Sequence, residues 1–314
     1  MIEVADQLKG RSFTRIAHWS PDEIKLVLDL AEQLKRLQRA REEHRLLPGR
    51  ALGMIFQKPS TRTRVSFEVG IAQLGGFGLY LRADDLQLGR GETIRDTATV
   101  LSRYLDGIVI RTFSQDDVDE LAEYAEIPVI NGLTDTAHPC QVLADMMTVR
   151  ERLGRLSGVR MAYLGDGNNV CASLMTAAAK LGMRFIAAVP EGYDPEEDVV
   201  KTAKRAAVQA GGTMELVRDP RRAAEGAEVL YTDVWTSMGQ EDERERRLHD
   251  LDGYRIDSDL LGLATEDTVV LHCLPAHYGE EITEEVLYGP RSAVWDQAEN
   301  RLHSQKALMA LIIR

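Results

Sequence analysis

Ala51-Leu52-Gly53-Met54-Ile55-Phe56-Gln57-Lys58-Pro59-Ser60-Thr61-Arg62-Thr63-Arg64 decides the fold class. An apolar run, 51–56, reads as a buried strand and ends before Pro59. A helical pattern follows, with apolar residues at Val65, Val69 and Ala72. Ser60 stands where an N-cap belongs. Strand, short turn, capped helix is the unit of an α/β sheet. The turn is also chemically loaded. The first N–H groups of a helix lack partners within it and sit at the positive end of its dipole. Hydroxyls from Ser60, Thr61 and Thr63 and the Arg62 guanidinium add donors, so the turn suits a phosphate. The alternative is an ordinary capped helix with solvated arginines.

Working outward, strand-like and helix-like stretches alternate. Expected strands are 52–56, 78–81, 107–110 and 128–130, then 160–164, 184–189, 213–217, 229–232 and 268–271. Between them lie helices such as 93–104, 116–125 and one from about His138 past Arg150. Ahead of them, 2–48 reads as helical, with Ser20-Pro21-Asp22-Glu23 a helix start. The alternation predicts two doubly wound parallel-sheet α/β domains with helices on both faces. The expected division is 1–150, 151–296 and a C-terminal helix, 297–314, returning to the first domain.

Composition bounds the function. The chain has 314 residues, which fits two domains. Its net charge of −12 disfavours nucleic acid as a partner, because that role needs a basic surface. No apolar run is long enough for a bilayer, and 1–15 carries charges throughout, unlike a signal peptide. The three cysteines, Cys140, Cys171 and Cys273, have no metal-type spacing and fit a reducing cytoplasm.

Other polar residues fall at the carboxyl ends of expected strands, where open α/β sheets bind ligands. Arg111 follows 107–110 and could be a second anion clamp or a surface arginine. His138-Pro139-Cys140-Gln141 opens the long helix. Pro139 suits N1, and His138 and Gln141, three apart, share a face. Such donors could hold a carbonyl oxygen gaining charge, or merely cap the helix. Gly165-Asp166-Gly167-Asn168-Asn169 is a partial glycine-rich turn. Val170 occupies the third glycine position of a dinucleotide fingerprint, which disfavours NAD. Asp233, after 229–232, could hold an ammonium group, and the loop beyond it could move as a lid. The charge run 241–247 reads as a solvated helical face. Cys273, in His272-Cys273-Leu274-Pro275, is a nucleophile or a partly buried structural thiol, and no general base is evident beside it. Pro275 could turn the Leu274 carbonyl outward, and Arg301 is a further anion donor or a surface charge.

In this order, the motifs closely resemble the ornithine carbamoyltransferases. Residues 59–64 and 138–141 look like the carbamoyl-phosphate motifs shared with aspartate carbamoyltransferase. Residues 233–241, with Ser237-Met238-Gly239, look like the ornithine loop, and 272–275 like that branch's second signature. The resemblance implies a homotrimer, or a multiple of one, that moves the carbamoyl group of carbamoyl phosphate to the δ-amine of L-ornithine, giving citrulline and phosphate. It implies no metal or organic cofactor. By matching motif, Ser60, Thr61, Arg62, Thr63 and Arg111 would bind phosphate. His138 and Gln141 would hold the carbamoyl end, with Cys273, Leu274 and Arg301 completing that pocket. Asn169, Asp233, Ser237 and the Met238 backbone would hold ornithine. Arg62, Arg111, His138, Asp233 and Cys273 form the expected catalytic set. The rivals are a carbamoyltransferase for putrescine, N-acetylornithine or aspartate, and a non-catalytic sensor that kept the pocket.

Overall fold

The computed structural model describes residues 6–82, Leu86, 91–237 and 239–314. It divides into two compact units. One comprises the chain to Met147 with Glu299–Arg314; the other is Thr148–Ala298.

The first unit is built on a wholly parallel sheet. Its strands are β1 (Ala51–Phe56), β2 (Phe77–Arg82), β3 (Gly107–Arg111) and β4 (Val129–Leu133), in the order β2-β1-β3-β4. β1 and β3 are buried along their whole length, as strands covered on both faces must be. The helices are α1 (Pro21–Arg39), α2 (Thr61–Gln73), α3 (Ile94–Leu101), α4 (Gln115–Tyr124) and the start of α5 (Pro139–Leu153).

One expectation needs correction here. Among the described residues of 2–48, only α1 is an α-helix; two single 3₁₀ turns precede it. α1 begins as expected, at a capping box in which Ser20 and Glu23 bond reciprocally to each other's backbone. α2 forms as expected, but the apolar residues that mark it in the sequence do not make its buried face. Thr63, Phe67, Gly70 and Ile71 are buried, whereas Val65 is 51% and Val69 39% exposed. Gly70 faces inward, and a Cβ there would press on Met309 and Lys306. The outward stripe continues onto the edge strand β2, where Phe77 is 50% and Leu79 43% exposed.

The second unit holds five parallel strands, β5 (Arg160–Leu164), β6 (Arg184–Ala188), β7 (Thr213–Val217), β8 (Val229–Thr232) and β9 (Val269–His272). Their order is β7-β6-β5-β8-β9. The intervening helices are α6 (Asn169–Lys180), α7 (Glu197–Ala210), α8 (Pro220–Ala224), α9 (Arg244–Asp250), α10 (Ser258–Leu261) and α11 (Glu284–Leu287). The last helix, α12 (Val294–Ile312), starts earlier than expected. Its residues from Glu299 onward belong to the first unit. There Lys35 donates to Asn300 at 2.7 Å, and buried Lys306 donates to Gln38 and Gln73 at 2.6 and 2.8 Å.

In each sheet the strand order reverses beside one strand. β1 lies between β2 and β3, and β5 between β6 and β8. The chain leaves these neighbours in opposite directions, which opens a crevice at their carboxyl ends. Residues after β1 and β3, and after β5 and β8, therefore line the two crevices.

Candidate active site

In the first unit, Ser60 caps α2 in extended conformation and accepts from the Thr63 N–H at 3.2 Å. That leaves the turn's other early N–H groups directed past the helix end. Arg111 comes from the adjacent crevice strand. A register shift between Ile110 and Arg111 moves its pairing to Leu133 at the strand end. Arg301, on α12, donates to Gln141 Oε1 at 2.7 Å and to Thr63 Oγ1 at 3.2 Å. It thereby joins the two helix starts that the sequence singled out. Gln141 in turn donates to buried Asp145 at 2.8 Å.

His138 lies just before Pro139, and its carbonyl accepts from the Gln141 N–H at 3.2 Å. It is buried. Burial, reinforced by the positive charges of Arg301, Arg111 and Arg62, holds its pKa well below the ordinary imidazole value. The side chain is a neutral imidazole with one N–H to donate. The segment leading to it is set by a buried amide network. Asn131 donates to Gln115 at 3.1 Å, Thr134 donates to the same oxygen at 2.8 Å, and Thr134 Oγ1 accepts from the Ala137 N–H at 3.1 Å. Cys140 is inert by comparison: burial pushes its thiol up to about 12.

In the second unit, Asp233 follows β8. Its Oδ2 accepts from Asn168 at 2.8 Å, and its Oδ1 accepts from the Val234 N–H and from the Cys273 thiol, both at 2.8 Å. The expectation that no base stands beside Cys273 is thus corrected. The carboxylate arrives from a neighbouring strand, which no linear motif reveals. Asn168 caps α6 through Oδ1, to the N–H groups of Val170 and Cys171. It uses its other amide end on Asp233; Asn169, the asparagine singled out in sequence, is the first residue of α6.

The turn after β9 is held from beneath. Buried His272 accepts the Leu274 N–H on Nδ1 at 2.8 Å. Its Nε2 is therefore the protonated nitrogen and faces Glu281 Oε1 at 3.0 Å. This bond helps hold Leu274 at φ 58°, a left-handed conformation costly for a branched side chain. The charge run 241–247 is also corrected in part. Arg247 is buried, donates to Asp166 at 2.7 Å and to the Trp235 carbonyl at 3.2 Å, and lies over the Tyr193 ring. Ser237 carries a bond from its N–H to Gln240 at 3.1 Å. Met238 lies outside the described residues.

Sequence reading missed Lys58. It is buried one residue before Pro59, pairs with Asp135 and lies 4.1 Å from the centre of the Phe113 ring. Its position in the first turn was the available signal. The bond from Asn168 to Asp233 was missed because the two are 65 residues apart, and the His272–Glu281 pair because the segment after β9 folds back between them.

The fold and site thus define a two-unit α/β protein with a cationic, helix-capped anion cradle in one unit and a carboxylate–thiol–amide cluster in the other. Two family models cover almost all of it. The aspartate/ornithine carbamoyltransferase carbamoyl-P binding domain matches residues 11–151, and the Asp/Orn binding domain of the same family matches 157–312. The chain is 56% identical to an ornithine carbamoyltransferase of Symbiobacterium thermophilum, covering 98% of this chain and 99% of that one. It is 54% identical to the anabolic ornithine carbamoyltransferase of Pyrococcus furiosus, over 98% and 97%. The solved structure of ornithine carbamoyltransferase from Pyrococcus furiosus superposes with a TM-score of 0.95 at 52% identity, covering 99% of each chain. The chain belongs to the aspartate/ornithine carbamoyltransferase family.

Proposed function

We propose that the chain transfers the carbamoyl group of carbamoyl phosphate to the δ-amine of L-ornithine, giving citrulline and phosphate. The observation that carries the reading is the convergence on neutral His138 of Arg62, Arg111 and Arg301, beside a capped helix start. Ser60, Thr61, Arg62, Thr63 and Arg111 bind the phosphate. His138, Gln141 and Arg301 hold the carbamoyl oxygen, with Cys273 and Leu274 assigned to the same group by their motif. Asn169, Asp233, Ser237 and Met238 hold the amino acid.

The neutral δ-nitrogen attacks the carbonyl carbon. The bond from that carbon to the bridging oxygen breaks, phosphate leaves, and the nitrogen gives up a proton to phosphate or solvent. Charge gathers first on the carbonyl oxygen and then on the phosphate. Fixed donors aimed at those atoms are commonly the largest catalytic contribution. Neutral His138 supplies an N–H without adding a fourth cation to the cradle. A free alkylamine is protonated at neutral pH, so the rate rises with pH as ornithine loses its proton. Asp233, held by three donors, orients the amino acid. Reduced cysteines support a cytoplasmic setting. The outward stripe of Val65, Val69, Phe77 and Leu79 on α2 and β2 supports assembly, which we assign as a homotrimer.

The test is citrulline formation from carbamoyl phosphate with ornithine, beside putrescine, N-acetylornithine and aspartate, in wild type and Arg62→Ala. Turnover with ornithine that Arg62→Ala abolishes is expected. Preference for another amine overturns the ornithine assignment; unchanged turnover in Arg62→Ala overturns the assignment of the phosphate turn.

A further inference from the structure

His277, Glu280 and Glu281 lie just beyond the turn that carries Cys273 and Leu274. Their ligand atoms lie within 4.8 Å of one another. His277 Nδ1 is 3.8 Å from Glu280 Oε2 and 4.0 Å from Glu281 Oε2. Both carboxylates are anchored through their other oxygen. Glu280 Oε1 pairs with Arg244, and Glu281 Oε1 accepts from the His277 N–H at 2.6 Å and faces His272. What remains is two buried carboxylate oxygens, Oε2 of each, with no hydrogen-bond partner among the described residues; Glu281 itself is wholly buried. A buried, unsatisfied anionic oxygen is costly, and here two point at one imidazole.

We propose that His277 Nδ1, Glu280 Oε2 and Glu281 Oε2 form a site for a divalent first-row transition cation such as Zn²⁺, Co²⁺ or Mn²⁺. Nδ1 stands 3.8 and 4.0 Å from the two carboxylate oxygens, so an ion midway along either edge would sit about 2 Å from both of its atoms, the usual Zn–N and Zn–O length. One nitrogen and two carboxylate oxygens suit these ions, and the imidazole disfavours Mg²⁺ and Ca²⁺. Arg244 and His272 fix the carboxylates from behind, as outer partners do in metal sites. The half-exposed side chain of His277 leaves an entry path and room for water ligands. A bound cation pins 277–281, and through Glu281 the base on which His272 holds the Leu274 turn. The nearby group of Asp233, His272 and Cys273 is a weaker candidate, because its atoms already bond to one another or to Leu274 and Glu281.

The test is Co²⁺ titration of the full chain followed by visible absorption, with Zn²⁺ competition. It is run in Cys273→Ser to remove thiolate ligation, then with His277→Ala or Glu280→Gln added. One saturable equivalent in Cys273→Ser, displaced by Zn²⁺ and weakened at least tenfold by either added change, is the expected result. No saturable binding in Cys273→Ser overturns the proposal. So does binding that neither added change weakens. Glu280→Gln keeps the side chain's shape and decides the matter if His277→Ala misfolds.

Discussion

Cys273 donates its thiol hydrogen to Oδ1 of Asp233 over 2.8 Å, across the ends of two neighbouring strands. Thr232 and His272 are paired in register, so the residues that follow each emerge side by side at the carboxyl edge of the sheet. The same carboxylate takes the Asn168 amide on its other oxygen. Asp233 is thereby fixed by strands β5, β8 and β9 together. Asp233→Asn keeps the volume and removes the charge. Steady-state kinetics should show kcat/KM for ornithine falling about 10²-fold to 10³-fold, a loss of ~3–4 kcal/mol. Cys273→Ser, which retains a donor, should cost less. Equal ornithine kinetics in Asp233→Asn and wild type would remove Asp233 from the site.

Arg301 joins Gln141 and Thr63 from a helix at the far end of the chain. Arg301→Ala should lower kcat/KM for carbamoyl phosphate by about 10²-fold to 10³-fold, as for removal of one donor to a developing oxyanion. It should also lower the melting temperature, because the buried Gln141 oxygen and Thr63 hydroxyl lose their donor. A melting change without a kinetic one would leave Arg301 a structural residue.

His138 is held neutral by burial and by Arg301, Arg111 and Arg62. Its imidazole resonances should not titrate between pH 8 and 6. The pH–rate profile should rise with ornithine deprotonation and carry no acid limb from this residue. Arg301→Gln removes one positive neighbour and should shift the His138 titration upward. A wild-type imidazole titrating near the ordinary value would contradict the electrostatic role given to the cradle.

His303 on α12 is lowered to about 4 by burial and by Lys306, against the opposing pull of Glu299. The unfolded chain takes up this proton near pH 6.5, the folded one only near 4. Stability from this group is complete above about pH 6.5 and falls as the pH drops toward 4, by on the order of 3 kcal/mol. Denaturation as a function of pH should show His303→Gln reducing the proton uptake on unfolding by about one in that window. An unchanged slope would refute it.

Asp166 and Arg247 form a buried ion pair in which burial still raises the Asp166 pKa despite the guanidinium. Arg247→Met should destabilise the protein by about 3–5 kcal/mol, because a buried carboxylate is left uncompensated. The double change Asp166→Leu with Arg247→Met should recover much of that loss. Denaturant titration of the three proteins checks this; a single change as mild as the double would show that the pair is solvated.

Within the chain, some properties follow from neighbours in sequence and were legible there. The strand–turn–helix at 51–73 could be read because an apolar run, Pro59 and the Ser60 cap act within a few residues of one another. The Ser20–Glu23 capping box, the His138-Pro139 helix start and the alternation that makes two parallel sheets are local in the same sense. The family followed too, because its motifs are short and ordered. The inner face of α2 was not legible. Val65, Val69 and Ala72 have helical spacing, but spacing does not say whether a stripe meets this chain's core or looks outward.

Tertiary structure alone decided the partnerships. Strand order brought Cys273 to Asp233 across a gap of forty residues, and Asn168 to the same carboxylate. It put Arg301 between Gln141 and Thr63, buried Arg247 on Asp166, and gathered the charges that keep His138 neutral. Hydrogen bonds and desolvation depend on distances of a few ångströms in space. A sequence states which residues can make them, and only the folded chain sets which of those residues meet.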